Sequence, residues 1–454
     1  MIKYIQIGLI VLKVDIKKGS QVINDILRFF KVVLVKKSDG VIVFKAGAKR
    51  SIKIDLKNRS VEVAGPTLDD RVDPLLPIMI MQVIFRFADL IAIDKPQLLL
   101  HASTAVWSEG KTILFGDDGT NVGKTTASLE LSLKSKGYVS DEFSIYNVAS
   151  NTVLDFPDLP IHIRNEYLTN LNSRGILVDD TSRCHGLFSL SDFGLKSNSG
   201  AQLSMIVYPR YCLKAKPKVI CLSKTKSKAN LEILVFSHRA KFLYPKYDRA
   251  SWLKKTDCTE IFDMKNDCRR LAYGKNDFAD QVLQKVASYS ITFQTPSQIV
   301  GLVGRAVRME QKRSVKHLSA SAVVYFKNKE DIKILLIKKA DGSIFLPKGH
   351  VNYGEKASDA ALREAKEETG LISGIVKRKI GEYSYIFTPN YGFATHNKTV
   401  STYLIEGKKI KLKALATEGF VDAFLVPPEE AIKRCSFEDE KKMIAKAFKQ
   451  INYV

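Results

Sequence analysis

The stretch that most constrains this chain is 349–371, GHVNYGEKASDAALREAKEETGL. Residues 356–370 read as one helix, and within it Glu364, Glu367 and Glu368 stand at i, i+3 and i+4. That spacing gathers three carboxylates on one face. Like charges so close repel one another and resist ionising together unless a cation neutralises them. Hard oxygen donors of this kind select Mg²⁺ or Mn²⁺, which keep some of their waters and reach phosphate oxygens. Arg363, next in sequence, can pair with Glu355 and hold the preceding loop against the helix. A solvated acidic helix on a basic protein is the plain alternative, and seven specified positions in 23 residues weigh against it.

Those positions follow G-x5-E-x7-R-E-U-x-E-E-x-G-U, where U is apolar: Gly349, Glu355, Arg363, Glu364, Glu367, Glu368, Gly370, and Leu371 in the last place. The segment resembles the Nudix box. It departs from the usual pattern only at Ala365, where a larger aliphatic residue is more common. The resemblance implies an α/β/α sandwich with a mixed sheet and hydrolysis of a diphosphate linked to another group. It implies Glu364, Glu367 and Glu368 as metal-ligand and base set, with Arg363 and Glu355 in the same machinery and the Gly349 carbonyl as a further ligand. Which glutamate takes the proton varies within that family. Glu418, in TEGF, is a candidate additional carboxylate or a surface glutamate.

Substrate signals are thinner. LPKGH (346–350) resembles the lead-in to the box in Nudix enzymes acting on dinucleoside polyphosphates or inositol pyrophosphates, and Lys348 would then meet a phosphate or remain an exposed lysine. Tyr383, Tyr385 and Phe387 alternate along one strand face, with Tyr391 and Phe393 beyond. Such a row either stacks a base or packs in the ordinary way.

A second phosphate-type motif lies at 116–126, GDDGTNVGKTT. The apolar run LLLHASTAVW and KTILFG, joined by the hairpin turn Ser108-Glu109-Gly110, deliver a strand into this glycine loop. A helix opens at Gly123-Lys124-Thr125-Thr126, and the next strand, GYVSDEFSIYNV, carries Asp141 and Glu142. Strand, loop and helix start make an anion site from backbone N–H groups and the helix dipole. The order resembles the P-loop core of the HPr kinase/phosphorylase and phosphoenolpyruvate carboxykinase-like group. That resemblance implies ATP or another NTP held by Gly119, Gly123, Lys124, Thr125 and Thr126. Thr125 would ligate Mg²⁺, and Asp141 or Glu142 would hold the metal or act as base. The loop is longer than the ordinary pattern, and no counterpart of the additional HPr kinase signature follows it.

The 454 residues exceed what one core usually serves. The reading is therefore α/β in two parts: a P-loop region over 1–310, with a small antiparallel β unit at 1–65 and sharp motifs at 100–146, then a basic connector at 311–319 and a Nudix domain at 320–454. The net charge is +23; Lys and Arg outnumber acidic residues by 26 to 17 within 311–454, so the excess extends through both parts. Such a balance suits nucleotides, polyphosphates or nucleic acid, although no nucleic-acid motif accompanies it. The most apolar stretch, 75–93, contains Arg86 and Asp89, which argues for a buried helix and not a membrane span. The start lacks a signal-peptide cleavage pattern, and six cysteines without a C-x-x-C pair fit reduced thiols; the expectation is a soluble, cytoplasmic protein.

Three readings of the whole follow. The first is a Mg²⁺-dependent pyrophosphohydrolase acting on a nucleoside-diphosphate-linked or polyphosphate substrate, fused to an NTP-binding domain. The second is a serine or small-molecule kinase with an accessory Nudix domain. The third is a nucleotide sensor that turns nothing over. The intact glutamate set favours the first.

Overall fold

The computed structural model describes residues 2–451 except 18–20, 28–29, 36, 47–50, 56, 66–79, 81–82, 86, 89–90, 93–94, 96, 118–122, 142, 155–160, 164, 177–186, 198–200, 244–277, 329–330, 353, 391 and 416–418. The chain divides into two units: Met1–Glu310 with Asn390–Phe393, and Gln311–Pro389 with Ala394–Val454.

The first unit opens with a six-stranded sheet. Ile2–Ile7 and Ile10–Ile16 form an antiparallel hairpin, but Ile10–Ile16 runs parallel to Gly40–Ala46, and Gly40–Ala46 parallel to Ser60–Gly65. The lead-in is thus mixed and not antiparallel as its alternation suggested. Parallel neighbours need a crossover, and here the connection from Ile10–Ile16 contains the helix Gln21–Leu27. Alternation marks a half-buried strand without fixing which way its neighbour runs.

A second, ten-stranded sheet follows. Ser103–Ser108 and Lys111–Phe115 pair antiparallel, while Gln202–Tyr211 runs parallel to both Lys111–Phe115 and Ala287–Phe293. The helix Lys124–Ser135 buries Ala127 and Leu131 against Ile113, Phe115 and Val207. GYVSDEFSIYNV, read as one strand, is two, Gly137–Ser140 and Ser144–Asn147, which pair with different partners. Asp141 lies in the break, and buried hydroxyls hold it closed: Ser144 Oγ is 2.7 Å from Ser140 Oγ and 2.6 Å from Thr104 Oγ1.

The second unit is a seven-stranded mixed sheet with helices on both faces. Its central strand, Ser314–Asn328, runs parallel to Thr395–Ile410 and antiparallel to Asp331–Lys339. The period of two decides the layers. Ala320, Ala322 and Val324 face the helix Ala357–Thr369, while Val323 and Tyr325 face the core shared with Met443, Ile444 and Ala447 of the helix Glu438–Ile451. The segment 311–319 is not a connector from Ser314 onward. Ser314, Lys316 and Leu318 stay exposed on alternate positions while the backbone of Ser314–Ser319 pairs with Thr395–Val400. Among the described residues no helix is long and apolar enough to cross a membrane. Among them, too, Cys212, Cys221 and Cys435 are free thiols, and of these three Cys435 is the buried one.

Candidate active site

The glutamate helix spans Ala357–Thr369. It stops because Gly370 turns left-handed, with φ 77°, and its N–H returns to the Lys366 carbonyl at 3.2 Å. Only glycine fits there, since a Cβ would lie 2.1 Å from the Lys411 carbonyl oxygen. Ala365, the departure from the usual pattern, is fully buried against a sheet face built from Ala320, Ala322 and Val324. Small residues on both sides account for a small residue at 365.

Arg363 organises the site. Its Nε and Nη2 donate to the two Glu355 carboxylate oxygens at 2.8 and 3.0 Å, and Nη2 also reaches the His350 carbonyl at 2.8 Å. Nη1 donates to Glu364 Oε1 at 2.7 Å and to Glu367 Oε2 at 3.1 Å. One planar fork thereby ties the loop 350–355 to the helix. The Arg363 bonds hold the Glu355 carboxyl below the usual carboxylate range, and the same bonds raise the guanidinium.

The three glutamates are not equivalent. Glu364 and Glu368 are 8% and 2% exposed, whereas the Glu367 side chain is 52% exposed. The Lys348 backbone N–H donates to Glu368 Oε2 at 2.9 Å. Glu364 lies against Gly349 so closely that a Cβ there would sit 2.0 Å from the carboxyl carbon. Among the described residues no group of three His, Cys, Asp or Glu side chains stands in metal-holding geometry; Arg363 Nη1 bonds both Glu364 and Glu367, and the Lys348 N–H bonds Glu368. The donors are nonetheless of the kind a hard divalent cation takes: carboxylates on one helix face with an unsubstituted backbone beside them.

These groups open onto a cavity of about 660 Å³, lined among others by Gly349, Glu364 and Glu368, by Lys339, Lys348 and Lys398, and by Tyr383 and Tyr385. Glu440, from the helix Glu438–Ile451, is a buried member that the sequence did not disclose. It accepts from Leu346 N at 2.8 Å, pairs with Lys348 Nζ, and accepts from Tyr383 Oη at 3.3 Å. Its charge and burial push Tyr383 above its ordinary range, burial contributing most, and the same causes push the Cys435 thiol up to about 12. Lys348 is therefore neither exposed nor free: its ammonium also lies 4.6 Å from the Phe345 ring centre. Of the aromatic row, Tyr383 and Tyr385 line the cavity with ring centres 6.3 Å apart, and Phe387 lies beside Tyr385. Phe393 belongs to the first unit, and Tyr391 and Glu418 lie outside the described residues.

In the first unit, the helix Lys124–Ser135 starts at Gly123, with φ 101°. Lys124 Nζ is 3.1 Å from Asp117 Oδ2 and 3.4 Å from His101 Nε2, and both Lys124 and His101 are buried. Asp141 Oδ1 accepts from Thr125 Oγ1 at 2.9 Å and from Ser103 Oγ at 3.0 Å. Thr126 follows on the same helix, half-buried. Gly119 and Glu142 lie outside the described residues.

Residues 315–447 match the NUDIX domain family. A mutator protein of Mycobacterium tuberculosis is 36% identical over 100 residues, which cover 22% of this chain and 38% of that protein. An ADP-ribose pyrophosphatase of Methanocaldococcus jannaschii is 49% identical over 59 residues, 12% of this chain and 34% of that protein. Among solved structures, a C. elegans Ap4A hydrolase in a binary complex is 21% identical with a TM-score of 0.26, covering 30% of this chain and 99% of that one. The chain spans roughly a third of the length of these two curated relatives.

Proposed function

We propose, taking the NUDIX domain at residues 315–447 as the premise, that this chain hydrolyses a phosphoric anhydride in a nucleoside-diphosphate-linked or polyphosphate substrate. The observation that carries the reading is the Arg363 fork, which holds Glu355, Glu364, Glu367 and the His350 carbonyl together beside a cavity that Glu364 and His350 line. Glu364, Glu367, Glu368 and the Gly349 carbonyl would hold Mg²⁺ or Mn²⁺. Such an ion, when bound, neutralises diphosphate charge and acidifies water. Arg363 ties the helix to the loop 350–355 and so keeps Glu364 and Glu367 close to the His350 backbone. Of the three glutamates Glu367 is the most exposed, and we propose it as the one that accepts a proton from the attacking water. The buried Glu440–Lys348 pair shapes the cavity wall beside them.

The test is hydrolysis of a panel of nucleotides and nucleoside-diphosphate derivatives in Mg²⁺ and ¹⁸O-water, with wild type and Glu367→Gln. The label identifies the phosphorus attacked. A loss of about 10²–10⁴-fold in kcat for the variant is expected. Full activity of Glu367→Gln on every substrate would refute the reading.

A second reading concerns the first unit alone. Lys124 beside Asp117 and His101, with Thr125 and Ser103 both on Asp141, supports an NTP site of the HPr-kinase-like kind. Nucleotide binding that weakens about tenfold or more in Lys124→Ala is its expected mark, since a charge-assisted bond to phosphate is removed. Unchanged affinity in that variant would dismiss it.

A further inference from the structure

The cavity holds three lysines, and they are not in the same condition. Lys348 is committed to Glu440 and to the Phe345 and Phe437 rings, 4.6 and 5.7 Å from its ammonium. Lys339 ends the strand Asp331–Lys339 and lies over Phe345 and Phe420, 5.5 and 5.2 Å from their ring centres. Lys398 stands on Thr395–Ile410, opposite Tyr385 of the neighbouring strand, and is half-buried. Among the described residues neither Lys339 nor Lys398 has a carboxylate within ion-pair distance.

Partly buried cations without a counter-ion are costly, and they persist where an arriving anion supplies the missing partner. Glu364 and Glu368 attract Lys398 at longer range, but burial and the neighbouring charges of Lys348 and Lys339 outweigh them and leave its ammonium easier to deprotonate than usual. Serving as counter-ion to the glutamates is therefore not a sufficient account of Lys398. Lys339, on Asp331–Lys339, and Lys398, on Thr395–Ile410, line the same cavity as Gly349, Glu364 and Glu368, and they come from elements other than the glutamate helix.

We propose that Lys339 and Lys398 bind a further phosphate of the substrate, so that the cavity selects chains of three or more phosphates over a simple diphosphate. The proposal rests on the hydrolase reading for what happens next, but the binding preference it states is measured separately.

The experiment is calorimetry on the full chain with inorganic pyrophosphate and tripolyphosphate, with Ca²⁺ in place of Mg²⁺ to slow turnover. Wild type should bind tripolyphosphate about 10- to 100-fold more tightly than pyrophosphate, the increment expected of charge-assisted bonds. Lys398→Met and Lys339→Met should each lose most of that preference, with pyrophosphate binding, which also reports an intact fold, within about twofold of wild type; Lys398→Arg should retain it. No preference in wild type overturns the proposal, as does a preference that survives both methionine variants. Equal weakening of both ligands, or a change confined to Ca²⁺ affinity, overturns it too, since either marks general or counter-ion roles. Should wild type hydrolyse no anhydride while the preference tracks the lysines, the hydrolase reading falls and this proposal stands. Hydrolysis without the preference leaves the hydrolase reading standing and overturns this proposal.

Discussion

Gly349 shows how narrowly the site is set at the scale of single residues. The Glu364 carboxyl carbon would lie 2.0 Å from any Cβ at this position, so even alanine must push the carboxylate aside. Gly349→Ala is expected to lower kcat by about 10²-fold, the scale of an ångström's misplacement, with little change in melting temperature. Unchanged kcat would show that the close approach has no role in turnover. A different residue-scale effect comes from His396, buried and stacked on His317, with its Nδ1 2.7 Å from His317 Nε2. Burial first, then the charge of His317, lowers its pKa from 6.5 to about 4. The folded state thus binds fewer protons than the unfolded state between those values, and stability falls as pH drops from about 6.5 toward 4. Denaturant melts across that window should show a shallower slope in His396→Gln; an identical slope would assign the acid sensitivity elsewhere.

Among the elements, the glutamate helix is the most legible in the sequence, because its pattern is local: arginine, carboxylates and terminal glycine all lie within 23 residues. Its partners are not legible there. Glu440, Lys339 and Lys398 come from distant strands and a terminal helix, and only sheet pairing carries them into one cavity. The alternating row Tyr383, Tyr385 and Phe387 marks only the end of its strand. That strand runs from Leu371 to Phe387, and register shifts at four places against Thr395–Ile410 break the alternation that would reveal its length. In the first unit the strand Lys111–Phe115 and the helix Lys124–Ser135 are legible, while the direction of pairing in the lead-in sheet is not, since side-chain alternation is the same in parallel and antiparallel neighbours. Ala365 belongs to this scale as well. The helix approaches a sheet face of alanines, so Ala365→Leu should overpack the interface and cost about 1–3 kcal/mol of stability in denaturant melts. A stable leucine variant would mean that the helix can move outward without loss.

For the whole molecule, two physical features bear on the proposed function: an excess of 23 positive charges, and a carboxylate helix face whose negative charge, on our proposal, a divalent cation neutralises before an anionic substrate approaches. Positive charge concentrates anions near the surface, so kcat/KM on a polyphosphate should decline as ionic strength rises, with kcat much less affected. A salt-independent kcat/KM would show that the net charge serves something other than substrate capture. The most direct measurement of the central claim is a Mg²⁺ titration of anhydride hydrolysis by the full chain, run beside Glu367→Gln and Glu368→Gln. The account predicts activity that is absent without divalent metal, rises with Mg²⁺, and falls about 10²-fold or more in each variant. Hydrolysis that proceeds equally well in chelator, or that is indifferent to both glutamates, would contradict it.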